Sequence, residues 1–338
     1  MPDNFENDIF DEIEQVFEKE DRHTRIIVVL CIVLIIAVIV AIIFGIFYYK
    51  EHNKVIYTSA EIATLEEENE AIIKAKDRSP VPVSDNRFYF KDGLLGEVWL
   101  PVLENVEKSS LDGMSFETDD KGRIYYAENG EKLTKFGIDV SAHQHDIDWE
   151  KVKADGVEFV MIRIGNRGYE TGNISFDKKF RDNIRGAKEA GLPVGVYFFS
   201  QAVSLEEAVE EAEFVLEMLD GEELTYPVVY DWEIIGTDPA RTDTVSAETV
   251  NDCAVVFCEM MKNEGYKPMV YMSRRMGYFK FDLSRLTEYD IWLAEYGDVP
   301  TMFYQFDMWQ YSCTGTIDGI EGDVDMNICF KDYSSEEE

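Results

Sequence analysis

The chain has 338 residues and is strongly acidic, with 32 basic against 68 acidic residues and a formal net charge of -36. Nucleic-acid affinity depends on Lys and Arg side chains that neutralise phosphates, so this charge argues against a nucleic-acid partner. It argues equally against electrostatic capture by anionic lipids or wall polymers. The length accommodates one large domain with accessory segments, since single α/β barrels commonly take roughly 200–250 residues.

The N-terminal segment, residues 1–25, is an acidic tail in which Phe5, Ile9, Ile13 and Phe17 recur at a spacing of four. That spacing favours a short amphipathic helix. Isolated helices of this length are marginal in water. Two interpretations therefore remain, a solvated tail and a helix that docks a cytoplasmic partner.

Residues 26–49 carry no charge, are rich in Ile, Val and Leu, and end in Phe47, Tyr48 and Tyr49. A helix of this length spans a hydrocarbon core of about 30 Å, and tyrosines suit the headgroup boundary. Because no small-residue cleavage site follows, the segment is predicted to be an uncleaved transmembrane signal anchor. Basic residues flank both ends, so the positive-inside rule does not orient it.

Two regions separate this segment from the main domain. Residues 50–86 are predicted to be a stalk and linker, because a Glu-rich stretch is followed by Ser-Pro-Val-Pro-Val at 79–83, which blocks helix. Residues 87–135 contain short alternating apolar runs and an Asn-Gly turn signal at 129–130, which are strand and hairpin patterns. They predict a small β subdomain.

From residue 136 to 332 short apolar strands alternate with helical stretches, which is typical of a mostly parallel α/β architecture. Eight strands fit an irregular TIM-like (β/α) barrel, and residues 333–338 form an acidic tail. Helices are predicted at 176–190 and 204–219, and those after the fifth strand are short. The predicted strands are 137–140, 159–164, 193–199, 227–231, 268–271, 291–294, 308–311 and a short one near Val324.

Acidic residues close three of these strands: Asp139, Asp231 with Glu233, and Asp325. In barrels of this kind, catalytic residues sit where strands end. Side chains alternate along a strand, so Asp231 and Glu233 should both point into the barrel mouth while Trp232 points elsewhere. Crowded carboxyls in apolar surroundings raise one another's pKa, which is what a general acid for glycosidic cleavage needs.

Aromatic residues fall at or near the same strand ends, where ring faces can stack on pyranose sugars. Some of these rings must belong to the core. The candidates for substrate binding are Tyr197, Phe199, Tyr271, Trp292, Trp309 and Tyr311.

Residues 136–144 (FGIDVSAHQ), followed by Ile147, Asp148 and Trp149, resemble the opening of glycoside hydrolase family 25, the Chalaropsis-type lysozymes. Residues 229–233 (VYDWE), 309–312 (WQYS) and 322–327 (GDVDMN) resemble that family's acidic pair, penultimate strand and closing motif, in the same order. The resemblance implies a modified β/α barrel that hydrolyses the β-1,4 bond between N-acetylmuramic acid and N-acetylglucosamine in bacterial peptidoglycan. It implies neither a metal nor an organic cofactor.

The same resemblance implies a role for each acid. Glu233 would be the general acid, and Asp231 would stabilise positive charge or orient the substrate's acetamido group. Asp139 and Asp325 would bind the sugar and tune the pair. One departure is His145, where the family more often has Gly. Since peptidoglycan lies outside the cell, the hydrolase domain is expected on the outer side of a bacterial plasma membrane, with the N-terminus cytoplasmic.

Other patterns carry less. Asp323, Asp325 and Asn327 begin a calcium-loop spacing, but Ile328 stands where such a loop requires Gly. No Cys/His cluster has zinc spacing. Of five cysteines, Cys313 and Cys329 could bridge neighbouring strands, with free buried thiols as the alternative. The rival function is a membrane-anchored wall-binding or division-scaffold protein that has lost catalysis.

Overall fold

The computed structural model describes residues 86–236 and 239–334. The predicted acidic tail, the transmembrane segment and nearly all of the stalk and linker lie outside these residues, as do residues 335–338. Within the described ranges, no helix combines the length and the apolar character needed to cross a membrane.

The described residues are built around a closed barrel of eight strands. In chain order the strands are β1 Arg87–Asp92, β2 Gly96–Pro101, β3 Phe116–Thr118, β4 Ile124–Glu128, β5 Glu131–Lys132, β6 Lys135–Val140, β7 Phe159–Arg167, β8 Ile174–Phe176, β9 Val194–Ser200, β10 Val228–Trp232, β11 Pro268–Ser273, β12 Asp290–Ala294, β13 Met308–Gly315 and β14 Val324–Cys329. The barrel order is β6-β14-β13-β12-β11-β10-β9-β7, with a closing β6–β7 pair, and a ninth strand, β8, pairs with β7.

All eight predicted barrel strands are present, because each is a short apolar run bounded by turns, as buried strands require. Six neighbouring pairs from β6 to β13 are parallel. The last strand, β14, is antiparallel to both β13 and β6. The barrel is therefore mixed.

Five α-helices lie between the strands: α1 Trp149–Ala154, α2 Phe180–Glu189, α3 Leu205–Leu219, α4 Ala247–Asn263 and α5 Arg274–Phe279. Short 3-10 helices lie at Gly113–Ser115, Ala142–Gln144 and Leu283–Arg285. Ser204 caps α3, since its hydroxyl accepts a hydrogen bond from the Glu207 amide. The described residues 295–307, which connect β12 to β13, contain no helix, in agreement with the irregular closure predicted.

The segment before the barrel forms two small sheets, β1–β2 and β3–β4–β5, where the sequence had indicated one β subdomain. Phe88 of β1 stacks on Phe303 with ring centroids 4.2 Å apart. Phe116 of β3 packs edge-on against Trp309 of β13 at 5.5 Å. The β3–β4–β5 sheet therefore lies against the outside of the barrel wall, and the β1–β2 sheet lies against the connection between β12 and β13.

The lower barrel interior is filled by inward-facing apolar side chains, including Phe159, Val229, Met269 and Met308. Gly137 makes room for this packing, because a Cβ there would lie 2.3 Å from the Phe159 ring. A filled interior leaves only the rim at the carboxyl ends of the parallel strands open to a ligand.

Candidate active site

The four predicted acids lie at one rim of the barrel. Asp139 is the fifth residue of β6, Asp231 the fourth of β10, and Glu233 directly follows β10. Asp325 was predicted to end a strand, and this is wrong, because it is the second residue of β14. Because β14 runs antiparallel, its beginning lies at the rim where the other strands end, and Asp325 is the register partner of Asp139.

Asp139 is held by two amides. Its Oδ2 accepts hydrogen bonds from Gln310 Nε2 at 2.9 Å and Asn327 Nδ2 at 2.8 Å. The Tyr271 hydroxyl donates to Gln310 Oε1 at 2.9 Å, and Trp292 Nε1 donates to Asn327 Oδ1 at 2.9 Å. These donors fix both amide orientations, so Oδ2 of Asp139 must act as an acceptor and a proton on this carboxyl belongs on Oδ1.

Burial, together with the negative charge of Asp325, raises the pKa of Asp139 to about 8 despite its two amide donors. Burial likewise raises the pKa of Asp325 to about 6, with the nearby Asp323 charge acting in the same direction. The rim therefore holds carboxyls that retain protons at pH values where exposed carboxyls have lost them.

The carboxyls of Asp231 and Glu233 lie close enough to influence each other electrostatically. Burial raises the pKa of both, and the neighbouring Glu233 charge raises that of Asp231 further. Asp231 is buried, and its Oδ1 has no hydrogen-bond partner among the described residues, whereas Glu233 is partly exposed. Two carboxyls that interact in this way lose their protons in linked steps, and the more exposed Glu233 is the member better placed to give a proton to a ligand.

A cleft of about 630 Å³ opens beside the acids. Arg163 lines it and is fixed by Asp177, whose Oδ2 accepts from Arg163 Nε at 2.8 Å and from the Ala142 amide at 3.0 Å. The Arg163 charge lowers the pKa of Asp231 against the larger effect of burial. The remaining lining residues are Ser141, His143, Gln144, His145, Tyr197, Cys313, Glu321, Gly322, Asp323 and Asp325.

The six predicted sugar-stacking aromatics divide into three groups. Tyr197 lines the cleft, and Phe199 is half-buried beside Asp231, its register partner. Tyr271 and Trp292 lie inside the barrel, where their polar atoms support the Asp139 network.

The prediction that Trp309 and Tyr311 bind substrate is wrong, because the structure places both side chains on the outer face of β13. Trp309 is fully buried under Phe116 and donates to the Glu295 carbonyl at 2.7 Å. A covered ring offers no face to a sugar. Trp292, 1% exposed, is also wrong as a stacking residue for this reason.

Several site residues were missed from the sequence. Gln310 lies in the WQYS motif and Asn327 in the GDVDMN motif. Each is two residues after an inward-facing residue, Met308 or Asp325, and side-chain alternation along a strand therefore indicates that each also faces the barrel interior. Arg163 is a charged residue that follows four apolar residues at the start of β7. Tyr296 follows β12, and its hydroxyl donates to Gln310 Oε1 at 3.3 Å.

The loop after β6 contains His145, the residue that stands where family 25 more often has Gly. His145 has φ 56° and ψ -126°, a left-handed backbone conformation that a glycine adopts more readily. The Gln144 side chain donates to the Asp323 carbonyl at 3.3 Å, which ties this loop to the one before β14. His145 is thereby held at the cleft edge.

The suggested Cys313–Cys329 bridge is not formed. Cys313 is an exposed thiol and Cys329 a buried one. Cys329 pairs in register with Met308 at the start of β13, whereas Cys313 lies near the other end of that strand. Among the described residues, no group of three or more His, Cys, Asp or Glu side chains is arranged to hold a metal ion.

A barrel with buried, protonatable carboxyls grouped at its mouth has the chemistry of a glycoside hydrolase. The profile of the family described as glycosyl hydrolases family 25 matches residues 138–320, more than half of the chain. The chain belongs to this family.

Individual proteins agree with that membership. The autolytic lysozyme of Clostridium acetobutylicum is 28% identical over 194 residues, covering 56% of this chain and 54% of that protein. The autolysin LytC of Streptococcus pneumoniae, also solved with a synthetic peptidoglycan ligand, matches with a TM-score of 0.52 and 25% identity, covering 73% of this chain and 57% of that one. A family 25 glycosyl hydrolase from Bacillus anthracis, at 23% identity, shares the fold, with a TM-score of 0.51 over 61% of this chain and 93% of that one. The chain spans little more than half the length of the first two.

Proposed function

We propose that this protein is a lysozyme that hydrolyses the β-1,4 bond between N-acetylmuramic acid and N-acetylglucosamine in bacterial peptidoglycan. The observation that carries the proposal is the grouping of Asp139, Asp231, Glu233 and Asp325 at one rim of the barrel, where Asp325 lines an open cleft and burial raises the pKa of each carboxyl. Its relatives named as lysozyme and autolysin support the choice of substrate.

In the proposed reaction, Glu233 gives its proton to the glycosidic oxygen as the bond from that oxygen to the sugar's anomeric carbon breaks. Asp231 then either stabilises the positive charge on that carbon or orients the acetamido group that does so. A water molecule adds to the carbon, and its proton restores the pair. Asp139, with Oδ2 fixed by its two amides, presents Oδ1 to the sugar, and Asp325 lies beside it.

The proposal extends to location. The apolar residues 26–49 would anchor the protein in a bacterial plasma membrane, with the tail in the cytoplasm and the hydrolase outside. Their length and lack of charge support this. Peptidoglycan as substrate supports the orientation.

The test uses the full 338-residue chain on purified cell walls. The protein should release soluble muropeptides, and Glu233→Gln should bind walls normally while releasing them at least about 100-fold more slowly, since general acid catalysis typically contributes about 10²–10⁴-fold. Glu217→Gln, an amide substitution at an exposed position of α3, is the matched control and should retain full activity.

Two outcomes contradict the proposal. Full activity of Glu233→Gln would remove this residue from the acid role. A wild-type protein that binds walls but releases nothing would instead favour a wall-binding or scaffold function.

A further inference from the structure

The proposed general acid stands at the start of a loop, residues 233–242, that leads from β10 towards α4. A neighbouring turn, residues 201–204 between β9 and α3, contacts this loop at both of its ends. Residues 237–238, near the middle of the loop, lie outside the described residues. Gln201 takes part in the contacts at both ends.

At the near end, one buried amide joins the first and last residues of the loop. Gln201, fully buried, donates from Nε2 to the Glu233 carbonyl at 2.7 Å and to the Ser200 carbonyl at 2.9 Å. Its Oε1 accepts a hydrogen bond at 2.9 Å from the hydroxyl of Thr242, which is also fully buried. Every polar atom of the amide is used, so its position is specified from both sides.

At the far end, Arg241 is fixed by a two-point ion pair. Its Nη1 and Nη2 donate to Glu207 Oε2 and Oε1 at 2.9 and 2.5 Å, and Nη1 also lies 3.4 Å from the Gln201 carbonyl. The Val203 amide donates to Glu207 Oε2 at 3.0 Å, which joins the same carboxylate to the turn. Bidentate Arg–carboxylate pairs specify geometry as well as adding energy.

Hydrogen bonds between the barrel strands and α3 hold the turn in place. Arg167 of β7, which is buried, donates from Nε to Glu211 Oε1 at 2.7 Å and from Nη2 to the Glu207 carbonyl at 2.9 Å. The Ser200 hydroxyl donates to Glu211 Oε2 at 2.6 Å. The support for the loop therefore extends to the barrel wall and α3.

We propose that Gln201 is a positioning residue that, with Thr242 and Arg241, holds the two described ends of the 233–242 loop so that the Glu233 carboxyl stays beside Asp231. We call these three residues and Glu207 the loop clamp. The inference rests on the proposed function only in treating Glu233 as the acid. A misplacement of about 1 Å in a catalytic group can cost about 100-fold in rate, so fixing the backbone at Glu233 has a direct kinetic consequence.

The decisive comparison is between Gln201→Met and Asn251→Leu in the full chain. Both substitutions replace a buried amide with an apolar side chain of similar size. Asn251 of α4 donates to the Ala247 and Lys280 carbonyls and accepts from the Asp282 amide at 2.7 Å, and none of these partners belongs to the cleft. Asn251→Leu therefore matches the loss of buried hydrogen bonds without touching the clamp.

Two readouts are measured, hydrogen exchange of the amides in 233–242 and the kcat and KM for wall hydrolysis per folded molecule. Gln201→Met should speed that exchange and lower kcat at least about tenfold, with KM changed less than about twofold, because substrate contacts remain while the acid is misplaced. Asn251→Leu should lower the thermal midpoint to a similar extent and change neither readout. Thr242→Ser, which keeps the hydroxyl, should behave as wild type, and Thr242→Val should show a smaller form of the Gln201→Met effect.

Wild-type exchange and kcat in Gln201→Met would overturn the inference, as would equal changes in Asn251→Leu. If Gln201→Met does not fold, the contrast between Thr242→Val and Thr242→Ser decides in the same way. If the wild-type chain cuts no peptidoglycan, the proposed function fails, and the exchange measurement alone still decides whether the clamp holds the loop.

Discussion

At the scale of single residues, His145 is under backbone strain. Its φ of 56° and ψ of -126° lie where a Cβ is disfavoured, and such conformations cost about 1–3 kcal/mol in a non-glycine residue. Glycine gives back roughly 0.5–1 kcal/mol through its greater freedom when unfolded. His145→Gly is therefore expected to raise the free energy of unfolding by up to about 2 kcal/mol, which corresponds to a Tm higher by up to about 4–8 °C at about 2–4 °C per kcal/mol.

Thermal unfolding of His145→Gly and His143→Gly checks this prediction. His143 is exposed in the same loop but lies inside the 3-10 helix Ala142–Gln144 and is not among the residues with positive φ. Glycine there should lower Tm. A Tm for His145→Gly at or below that of wild type would show that the loop is not strained.

The acids could be found from the sequence because the rule that locates them is local. Alternation along an apolar strand is enough to place Asp231 and Glu233 on one side of it and Trp232 on the other. Trp309 obeys the same rule, yet whether an outward ring meets solvent depends on a distant segment, and here Phe116 covers it. The strand pattern predicts which way a side chain points, but not whether a residue far away in the sequence covers it.

At the scale of elements, strand positions were predictable and strand direction was not. The apolar run near Val324 looks like the others, but a parallel β14 would have needed a crossover helix after β13. The chain instead returns through residues 316–323, and β14 pairs antiparallel with β13. Asp325 reaches the rim through this reversal, because it lies at the beginning of an antiparallel strand and not, as predicted, at the end of a parallel one.

The contact between the β3–β4–β5 sheet and the barrel gives a prediction at this scale. Phe116 packs against Tyr126, Trp309 and Phe330, with ring centroids 5.0, 5.5 and 6.3 Å away. Removing this half-buried ring in Phe116→Ala should lower the free energy of unfolding by about 2 kcal/mol, less than the 3–5 kcal/mol typical of a fully buried Phe. Tm should fall by about 4–8 °C, measured by calorimetry.

Met114→Ala is the control for this contact. Met114 lies two residues earlier and is 90% exposed, so its removal should leave Tm within about 2 °C of wild type. An unchanged Tm in Phe116→Ala would mean that the sheet adds nothing to the stability of the barrel.

At the scale of the whole molecule, buried carboxyls make stability depend on pH. Burial raises the pKa of Asp139 to about 8, of Glu211 to about 7 and of Asp325 to about 6. Each folded-state pKa exceeds the value of about 4 expected when unfolded, so the folded protein holds protons that the unfolded chain releases. The stability from these groups is complete below about pH 4 and is lost as the pH rises towards about 8.

Asp139→Asn tests this dependence, because asparagine does not titrate and its side-chain oxygen can still accept from Gln310 and Asn327. The Tm of the variant minus that of wild type should increase between pH 5 and pH 8 by at least about 2–4 °C, since one unit of pKa difference is worth about 1.4 kcal/mol. Asp148→Asn is the control, and its Tm difference from wild type should stay constant between pH 5 and pH 8. Hydrogen bonds from Lys151 lower the pKa of Asp148, so this carboxyl titrates below pH 5. A constant difference for Asp139→Asn as well would mean that its carboxyl is ionised throughout and cannot hold a proton for the site.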